Sequence, residues 1–259
     1  MKINIEEAKE EFIKYTEKFN IKDENIERKQ QHSLRVMKKA EQIATNLKLN
    51  EEQIQIATLI GLLHDIGRFK QYTEIGLGDN LEGFDHGDYG AKVLFEEGLI
   101  RKFIETNKYD EIIKKSIKNH NKFSIEAGLT QEELLFAKLI RDADKIDILY
   151  ESIYIFYRNN EEVVNKSVLS EKIYNEFLKK ATIKKEKNAK IKFIDDITCV
   201  ISFIYDINYK TSFEIIKEKD YINKIIDRYN FQDQSTKTKV EEIRKLANEY
   251  IEEKTTEEK

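Results

Sequence analysis

The chain has 259 residues, of which 40% are hydrophobic and 36% are charged, with a formal net charge of −4 at pH 7. Acidic and basic residues are interspersed, which argues against a surface dedicated to polyanions such as nucleic acids. No apolar run approaches the ~18 residues of a membrane span, and the N-terminus lacks the apolar core of a signal peptide. We therefore expect a cytoplasmic protein with no nucleic-acid module and no membrane contact. The sequence leaves the oligomeric state open.

Apolar residues recur at helical spacing through almost the whole chain, and two-residue alternation is scarce. The spacing predicts helices at 5–19, 24–47, 51–66, 88–105, 109–120, 130–158, 168–184, 190–207, 211–229 and 236–253. There is no proline, and all nine glycines lie between Gly61 and Gly128. Since the residues after Gly128 hold neither helix breaker, we expect long helices joined by short polar turns there. The predicted fold class is all-α.

Two helix starts can be recognised from their capping residues. Asn50 precedes one predicted helix, and Thr130 and Glu133 form a capping box at the start of another. Residues 1–158 are predicted to form one helical domain. Residues 159–259 are predicted to form a helical extension packed on the same core, with its last residues disordered.

One long glycine-rich loop is predicted at 72–87. Long loops in compact domains often close over binding sites, and this one separates His64 from His86 in the chain. We expect a lid over a functional site, with a mobile surface excursion as the alternative.

The four histidines of the chain fall into an ordered series with two aspartate positions. The candidate metal ligands are His32, His64, Asp65, His86, His120 and Asp144. Neutral imidazole and carboxylate groups together suit Mn, Fe, Co, Ni or Zn. Asp142 competes with Asp144 for the last position.

The order His…His-Asp…His…His…Asp over residues 26–150 resembles the HD superfamily of metal-dependent phosphohydrolases. The stretch HDIGRFKQ at 64–71 is similar to an HD subgroup with an HDIGRF-like core. The resemblance implies an HD-domain helical bundle that binds one or two divalent transition-metal ions. In it, His32, His64, Asp65 and Asp144 hold the first ion, and Asp65, His86 and His120 the second. The alternative is a one-metal site, with His86 a loop residue and His120 a helix cap.

Two basic residues directly follow motif positions. The resemblance implies that Arg68 and Lys145 both contact a substrate phosphate, Arg68 through two oxygens at once and Lys145 as a point charge. For Lys145 the alternative is an ion pair with Asp142 and Asp147.

Three polar residues are predicted to support the site. Gln71 lies either at the pocket mouth or on the surface. Asp88 and Asn121 are expected to orient His86 and His120.

The resemblance implies an enzyme, a phosphohydrolase that uses a metal-activated water. Asp65, Arg68 and Lys145 are its predicted catalytic residues, and its predicted substrate is a small phosphate ester such as a nucleotide, either a monoester or a diester. No GYP motif of the cyclic-di-GMP phosphodiesterases follows His86. An HD-fold di-iron oxygenase is the alternative, because it uses the same ligands. A non-catalytic nucleotide-sensing module is the third possibility.

Overall fold

The computed structural model describes residues 3–20, 22–74, 76, 84–184 and 193–257. Its α-helices are α1 (Ile5–Thr16), α2 (Glu24–Asn46), α3 (Glu51–Leu63), α4 (Ile66–Glu74), α5 (His86–Ala91), α6 (Asp110–Asn119), α7 (Gln131–Tyr154), α8 (Glu161–Lys166), α9 (Glu171–Phe177), α10 (Phe193–Ile201), α11 (Lys210–Glu218), α12 (Tyr221–Asp227) and α13 (Gln234–Thr256). These described residues contain no β-strand, so the all-α prediction is confirmed. None of the described helices is long and apolar enough to cross a bilayer.

Both predicted helix starts are present. Asn50 and Gln53 form a capping box at the start of α3, with the Asn50 side chain accepting from the Gln53 amide at 2.9 Å. Thr130 and Glu133 cap α7 in the same reciprocal way. Each box satisfies two amide groups that a helix start leaves without partners.

The prediction of one continuous helix at 88–105 is wrong. Helix α5 passes into a π-helical segment, Lys92–Glu96, and then into a short 3-10 helix, Leu99–Lys102. Between them Gly98 adopts a left-handed backbone with φ of 76°. That conformation ends a helix and costs glycine no steric strain.

The helices after Gly128 are also shorter than predicted. The single helix predicted at 211–229 divides into α11 and α12 at Asp220, whose φ is 54°. Lys180 and Tyr157 adopt similar left-handed conformations beyond the ends of α9 and α7. Ordinary side chains therefore end these helices, and the scarcity of glycine and proline did not guarantee long ones.

The chain forms two compact units, Met1–Asp144 and Lys145–Lys259. The boundary between them falls inside α7, before the domain boundary predicted at residue 158. In the second unit, α13 packs on α11 and α12 through a buried stripe made of Val240, Ile243, Ala247 and Ile251. Helix α13 runs to Thr256, and residues 258–259, at the end of the tail that is predicted to be disordered, lie outside the described residues.

In the first unit, α2 and α3 lie in close contact along their lengths. A methyl group added at Gly61 of α3 would lie 2.9 Å from the Met37 Cα and 3.0 Å from the Val36 carbonyl oxygen of α2. The two backbones can approach this closely only because Gly61 has no side chain. This contact brings the face of α2 that carries His32 next to the end of α3.

The chain turns at His64 and Asp65, between α3 and α4. The sequence predicts a helix at 51–66 that extends through both of these residues. That prediction is wrong, because α3 ends at Leu63 and Gly67 lies inside α4. A methyl group at Gly67 would lie 2.7 Å from the Gly90 amide nitrogen, so this glycine allows α4 and α5 to pack closely.

Candidate metal centre

The first pair of histidines joins α2 to the end of α3. The Nε2 atoms of His32 and His64 are 3.2 Å apart, and both rings are buried. Asp144 of α7 completes the group, with its Oδ1 3.1 Å from His32 Nε2 and 3.7 Å from His64 Nε2. Asp142, on the same helix, is fully buried but does not belong to this group of metal-competent side chains.

The second pair joins α5 to the end of α6. His86 is the first residue of α5, and His120 directly follows the last residue of α6. Their Nε2 atoms are 3.1 Å apart. The ring centroids of His64 and His120 are 5.1 Å apart, so the two pairs are neighbours.

Asp65 lies between the two pairs and faces each with a different oxygen. Its Oδ2 is 3.6 Å from His64 Nε2 and 3.8 Å from His32 Nε2. Its Oδ1 is 3.6 Å from both His86 Nε2 and His120 Nε2. Ligand atoms that share a metal through bonds of about 2.1 Å lie about 3.0–3.4 Å apart in octahedral or tetrahedral geometry. The observed spacings are at or slightly above this range.

Asp65 Oδ1 is buried and accepts no hydrogen bond from any described residue. A buried carboxylate oxygen without a hydrogen bond is costly, since it has lost its water and gained no donor. A cation between Oδ1 and the second histidine pair would compensate this cost. The donors therefore fit a divalent metal ion.

Hydrogen bonds fix the tautomers of two of the histidines. His64 Nδ1 is 2.9 Å from the Gly61 carbonyl oxygen, and His120 Nδ1 is 2.7 Å from the Ile117 carbonyl oxygen. A carbonyl oxygen can only accept, so in both rings Nδ1 carries the proton and donates it. In the neutral rings Nε2 is then the unprotonated nitrogen that binds metals.

The protonation states also suit metal binding. Burial lowers the pKa of His64, and burial together with the neighbouring His120 lowers the pKa of His86 well below its usual range. Burial acts to raise the pKa of Asp65, but Lys29 and His64 lower it well below its usual range. The imidazoles of His64 and His86 are therefore neutral and the Asp65 carboxylate is ionised near pH 7, which are the forms that bind metals.

Lys29 contributes a buried cation that the sequence analysis missed. Its Nζ is 2.6 Å from Asp65 Oδ2, and 13% of its side chain is exposed. Burial acts to lower the pKa of Lys29, but the attraction of Asp65 outweighs it, so the pKa is raised. Lys29 precedes His32 by one helical turn on α2, and this spacing is the signal that would have predicted its position.

The side chain of Asn121 lies beside His86, whereas the carboxylate of Asp88 pairs with a surface lysine. The Asn121 amide nitrogen is 3.2 Å from His86 Nδ1 and 3.1 Å from Asp85 Oδ1. Asp85 also caps α5 by accepting from the Asp88 amide at 2.9 Å. The Asp88 carboxylate pairs with Lys122 at the surface, 2.6 Å away, and its role in orienting His86 stays a prediction.

Arg68 and Gln71 are buried together in α4. Arg68 Nη1 donates to Gln71 Oε1 at 2.9 Å, and Arg68 Nε is 3.8 Å from Asp65 Oδ1. Gln71 has no exposed surface, so of its two predicted positions the one on the surface is wrong. The phosphate-binding role of Arg68 stays a prediction.

The predicted loop at 72–87 overlaps both helices that flank it. Its first residues, 72–74, belong to α4, and its last two, His86 and Gly87, belong to α5. Residues 75 and 77–83, on which the prediction of a lid depends, lie outside the described residues.

Lys145 belongs to the second compact unit and is 8% exposed through its side chain. Its Nζ is 2.8 Å from Asp206 Oδ2 and 5.8 Å from the ring centroid of Phe203. Asp206 is thus one ion-pair partner of Lys145, and the alternative of an ion pair with Asp142 and Asp147 stays a prediction. A phosphate contact by Lys145 stays a prediction.

The geometry agrees with a comparison against known families. Residues 30–149 match the family model described as HD domain. The segment 30–149 is therefore recognised as an HD domain. All six candidate ligands lie within the matched segment, and the resemblance found in the sequence is confirmed. No curated protein and no solved structure matched the chain. HD domains bind divalent metals and belong to a superfamily of metal-dependent hydrolases.

Proposed function

We propose that this HD domain is a phosphohydrolase that holds two divalent metal ions and acts on a nucleotide or a related phosphate ester. One observation carries the proposal. Each oxygen of the Asp65 carboxylate faces a different histidine pair, at 3.6–3.8 Å, and Oδ1 has no hydrogen bond from a described residue. This is the arrangement expected of a carboxylate that bridges two ions.

The donor set defines the class of metal. His32, His64 and Asp144, with Asp65, would hold one ion, and His86 and His120, with Asp65, would hold the other. Nitrogen and oxygen donors of this kind suit Mn, Fe, Co, Ni or Zn. Bound there, the ions would lower the pKa of a water molecule and neutralise phosphoryl oxygens.

The residues of the chain supply orientation and charge. The Gly61 and Ile117 carbonyls hold His64 and His120 in the metal-binding tautomer. Arg68, oriented by Gln71 at 2.9 Å, places a guanidinium group 3.8 Å from the carboxylate. The planar guanidinium group can donate to two phosphate oxygens at once and would offset the substrate's negative charge.

The proposal is tested by metal analysis of anaerobically purified protein together with a phosphate-release screen over nucleotides and simple esters. We expect two ions per chain and metal-dependent phosphate release. The Asp65→Asn variant should lose both while it keeps its helical circular dichroism spectrum. Full activity in that variant or in metal-stripped protein would contradict the proposal. Oxygen uptake by iron-loaded protein, without phosphate release from any ester, would favour the oxygenase.

A further inference from the structure

The end of α6 carries a metal-ligand candidate but has no glycine to close it. The helix ends at Asn119, and His120, Asn121 and Lys122 follow. The last carbonyl groups of a helix have no partners within the helix and need donors from elsewhere. Here a side chain from another helix supplies them.

Arg141 of α7 donates to the backbone on both sides of His120. Its Nη1 is 2.8 Å from the Asn119 carbonyl oxygen, 3.4 Å from that of His120 and 2.6 Å from that of Lys122. Its Nη2 is 3.4 Å from the carbonyl oxygen of Phe123. Arg141 is 2% exposed and is among the largest fully buried side chains of the chain.

We infer that Arg141 is a positioning residue that fixes His120, and with it the second metal site. The inference rests on the proposed function, since it assumes that the second histidine pair holds an ion. Arg141 fixes the backbone that carries the ring, and the Nδ1 bond to the Ile117 carbonyl fixes the ring itself. Together they leave His120 one orientation, with Nε2 directed at His86 and at Asp65.

The position of Arg141 on α7 links the two metal sites. Asp144, a ligand candidate of the first site, follows Arg141 by three residues on the same helix. One turn of α7 therefore supplies a ligand to the first site and the clamp that holds a ligand of the second. A lysine could not replace this clamp, because a single ammonium group cannot contact carbonyls spread over five residues.

The second unit offers a matched control, Arg228. Its Nη1 donates to the Ser152 carbonyl at 2.9 Å and to the Phe156 carbonyl near the end of α7. Its side chain is 12% exposed. Arg228 thus also donates to backbone carbonyls at the end of a helix, but none of the candidate ligands lies in the backbone that it holds.

The test is a titration of cobalt(II) into the metal-free full chain, followed by absorption spectroscopy and calorimetry. In Arg141→Lys we expect the affinity of one of two sites to fall about 10–100-fold, as for other residues that orient ligands, with the other site unchanged. Arg228→Lys should lower the melting temperature and leave both affinities at their wild-type values. Wild-type affinity for both ions in Arg141→Lys, or an equal loss at both sites, would overturn the inference.

Two further measurements cover the remaining outcomes. His120→Ala should lose the same site, and adding Arg141→Lys to it should weaken cobalt binding no further, because both changes act on one ligand. If Arg141→Lys does not fold, Arg141→Ala refolded with methylguanidinium should regain the second ion, and failure to do so counts against the inference. Uptake of a single ion by the wild type would reject the two-metal proposal itself, and this result is visible before any variant is made.

Discussion

The two compact units are both helical, but they use buried polar side chains differently. In the second unit Thr198 Oγ1 donates to the Ile194 carbonyl at 2.9 Å and the Asp195 carboxylate accepts from the Ser170 amide at 2.8 Å, while the buried atom without a partner among the described residues is a neutral hydroxyl such as that of Ser212. In the first unit Asp65 lies among histidines from four parts of the fold and keeps one oxygen without a hydrogen bond from the described residues. A buried polar side chain that has its hydrogen-bond partners is compatible with a purely structural role. A buried cluster of titratable side chains in which a charged oxygen lacks a hydrogen bond indicates a functional site.

The histidine–aspartate groups add to this contrast. Among the described residues, no group of three metal-competent side chains lies wholly within the second unit. Groups built on His64 with Asp144, and on His64 with Asp65, lie wholly within the first unit. Matched substitutions in the two units test this difference.

The largest difference is expected between Asp65→Asn and Asp195→Asn. Both aspartates are buried, but only Asp65 lies among histidines. Asp65→Asn should reduce metal content and phosphate release to the background of metal-free protein, because the bridging charge is removed. Asp195→Asn should lower stability and leave metal content unchanged. Mass spectrometric metal analysis and a phosphate assay measure the metal content and the phosphate release of both variants. Equal metal loss in the two variants would contradict the expected difference between the units.

Two lysines of similar burial form the second comparison. Lys29 pairs with buried Asp65, and Lys239 pairs with Glu171, whose side chain is 73% exposed; the lysine side chains are 13% and 14% exposed. Lys29→Met should destabilise the metal-free protein by about 3 kcal/mol, since it leaves a buried charge without its cation. Lys239→Met should cost less than about 1 kcal/mol.

Urea unfolding with and without a divalent metal measures both lysine variants. Metal should restore most of the stability lost in Lys29→Met, because an ion bound to the folded state stabilises it and replaces the missing cation beside Asp65. It should have no such specific effect on Lys239→Met. Similar losses of unfolding free energy in the two variants, with no recovery on adding metal, would show that the Asp65 carboxylate is not a metal-binding charge.

Arg68 and Arg244 form the third comparison. Arg68→Lys should lower kcat/KM roughly tenfold, the equivalent of about 1.4 kcal/mol, because the two-pronged phosphate contact is lost. Arg244 pairs with Asp227 at 2.7 Å in the second unit, and Arg244→Lys should leave the kinetics unchanged. Steady-state kinetics with the substrate found in the screen decides the matter. Normal turnover and a normal KM in Arg68→Ala would assign Arg68 to the fold alone.

The smallest effects concern helix caps. Asn50→Ala removes the 2.9 Å bond of a capping box and should cost about 1 kcal/mol of stability. Ser170→Ala removes a longer bond of 3.4 Å to the Ile173 amide and should cost less. Chemical denaturation measures both, and neither should change metal affinity. A change in metal affinity in Asn50→Ala would mean that the site depends on the start of α3 as well as on its end.

The helical fold class and the segments that form helices could be predicted from apolar spacing, and the two capping boxes from their residues. The helix ends could not be predicted, because Asp220 and Lys180 adopt left-handed conformations that depend on packing more than on residue type. The division of 88–105 into short helices also depends on contacts between helices, which periodicity does not report.

At the site, residue type and order predicted the candidates that the structure brings together. They did not predict how Asp65 reaches both histidine pairs. Consecutive residues on a helix point about 100° apart, and the prediction placed His64 and Asp65 on one continuous helix. The turn between α3 and α4 frees Asp65 from that constraint. Lys29 escaped prediction because lysine is common in this chain and nothing in its immediate neighbours marks it as buried.

Gly61 has a further consequence, which concerns the choice of metal. Its missing side chain sets the distance between α2 and α3, and its carbonyl oxygen accepts from His64. Gly61 therefore sets the distance between the two ligand candidates His32 and His64, and its carbonyl group sets the orientation of the His64 ring. Any larger residue at this position would push the helices apart and lengthen the distance between the His32 and His64 nitrogens. The site would then favour ions of larger radius, although every ligand stayed the same. In this fold, the preference for an ion can change through the gap between two helices, without any change in the residues that hold it.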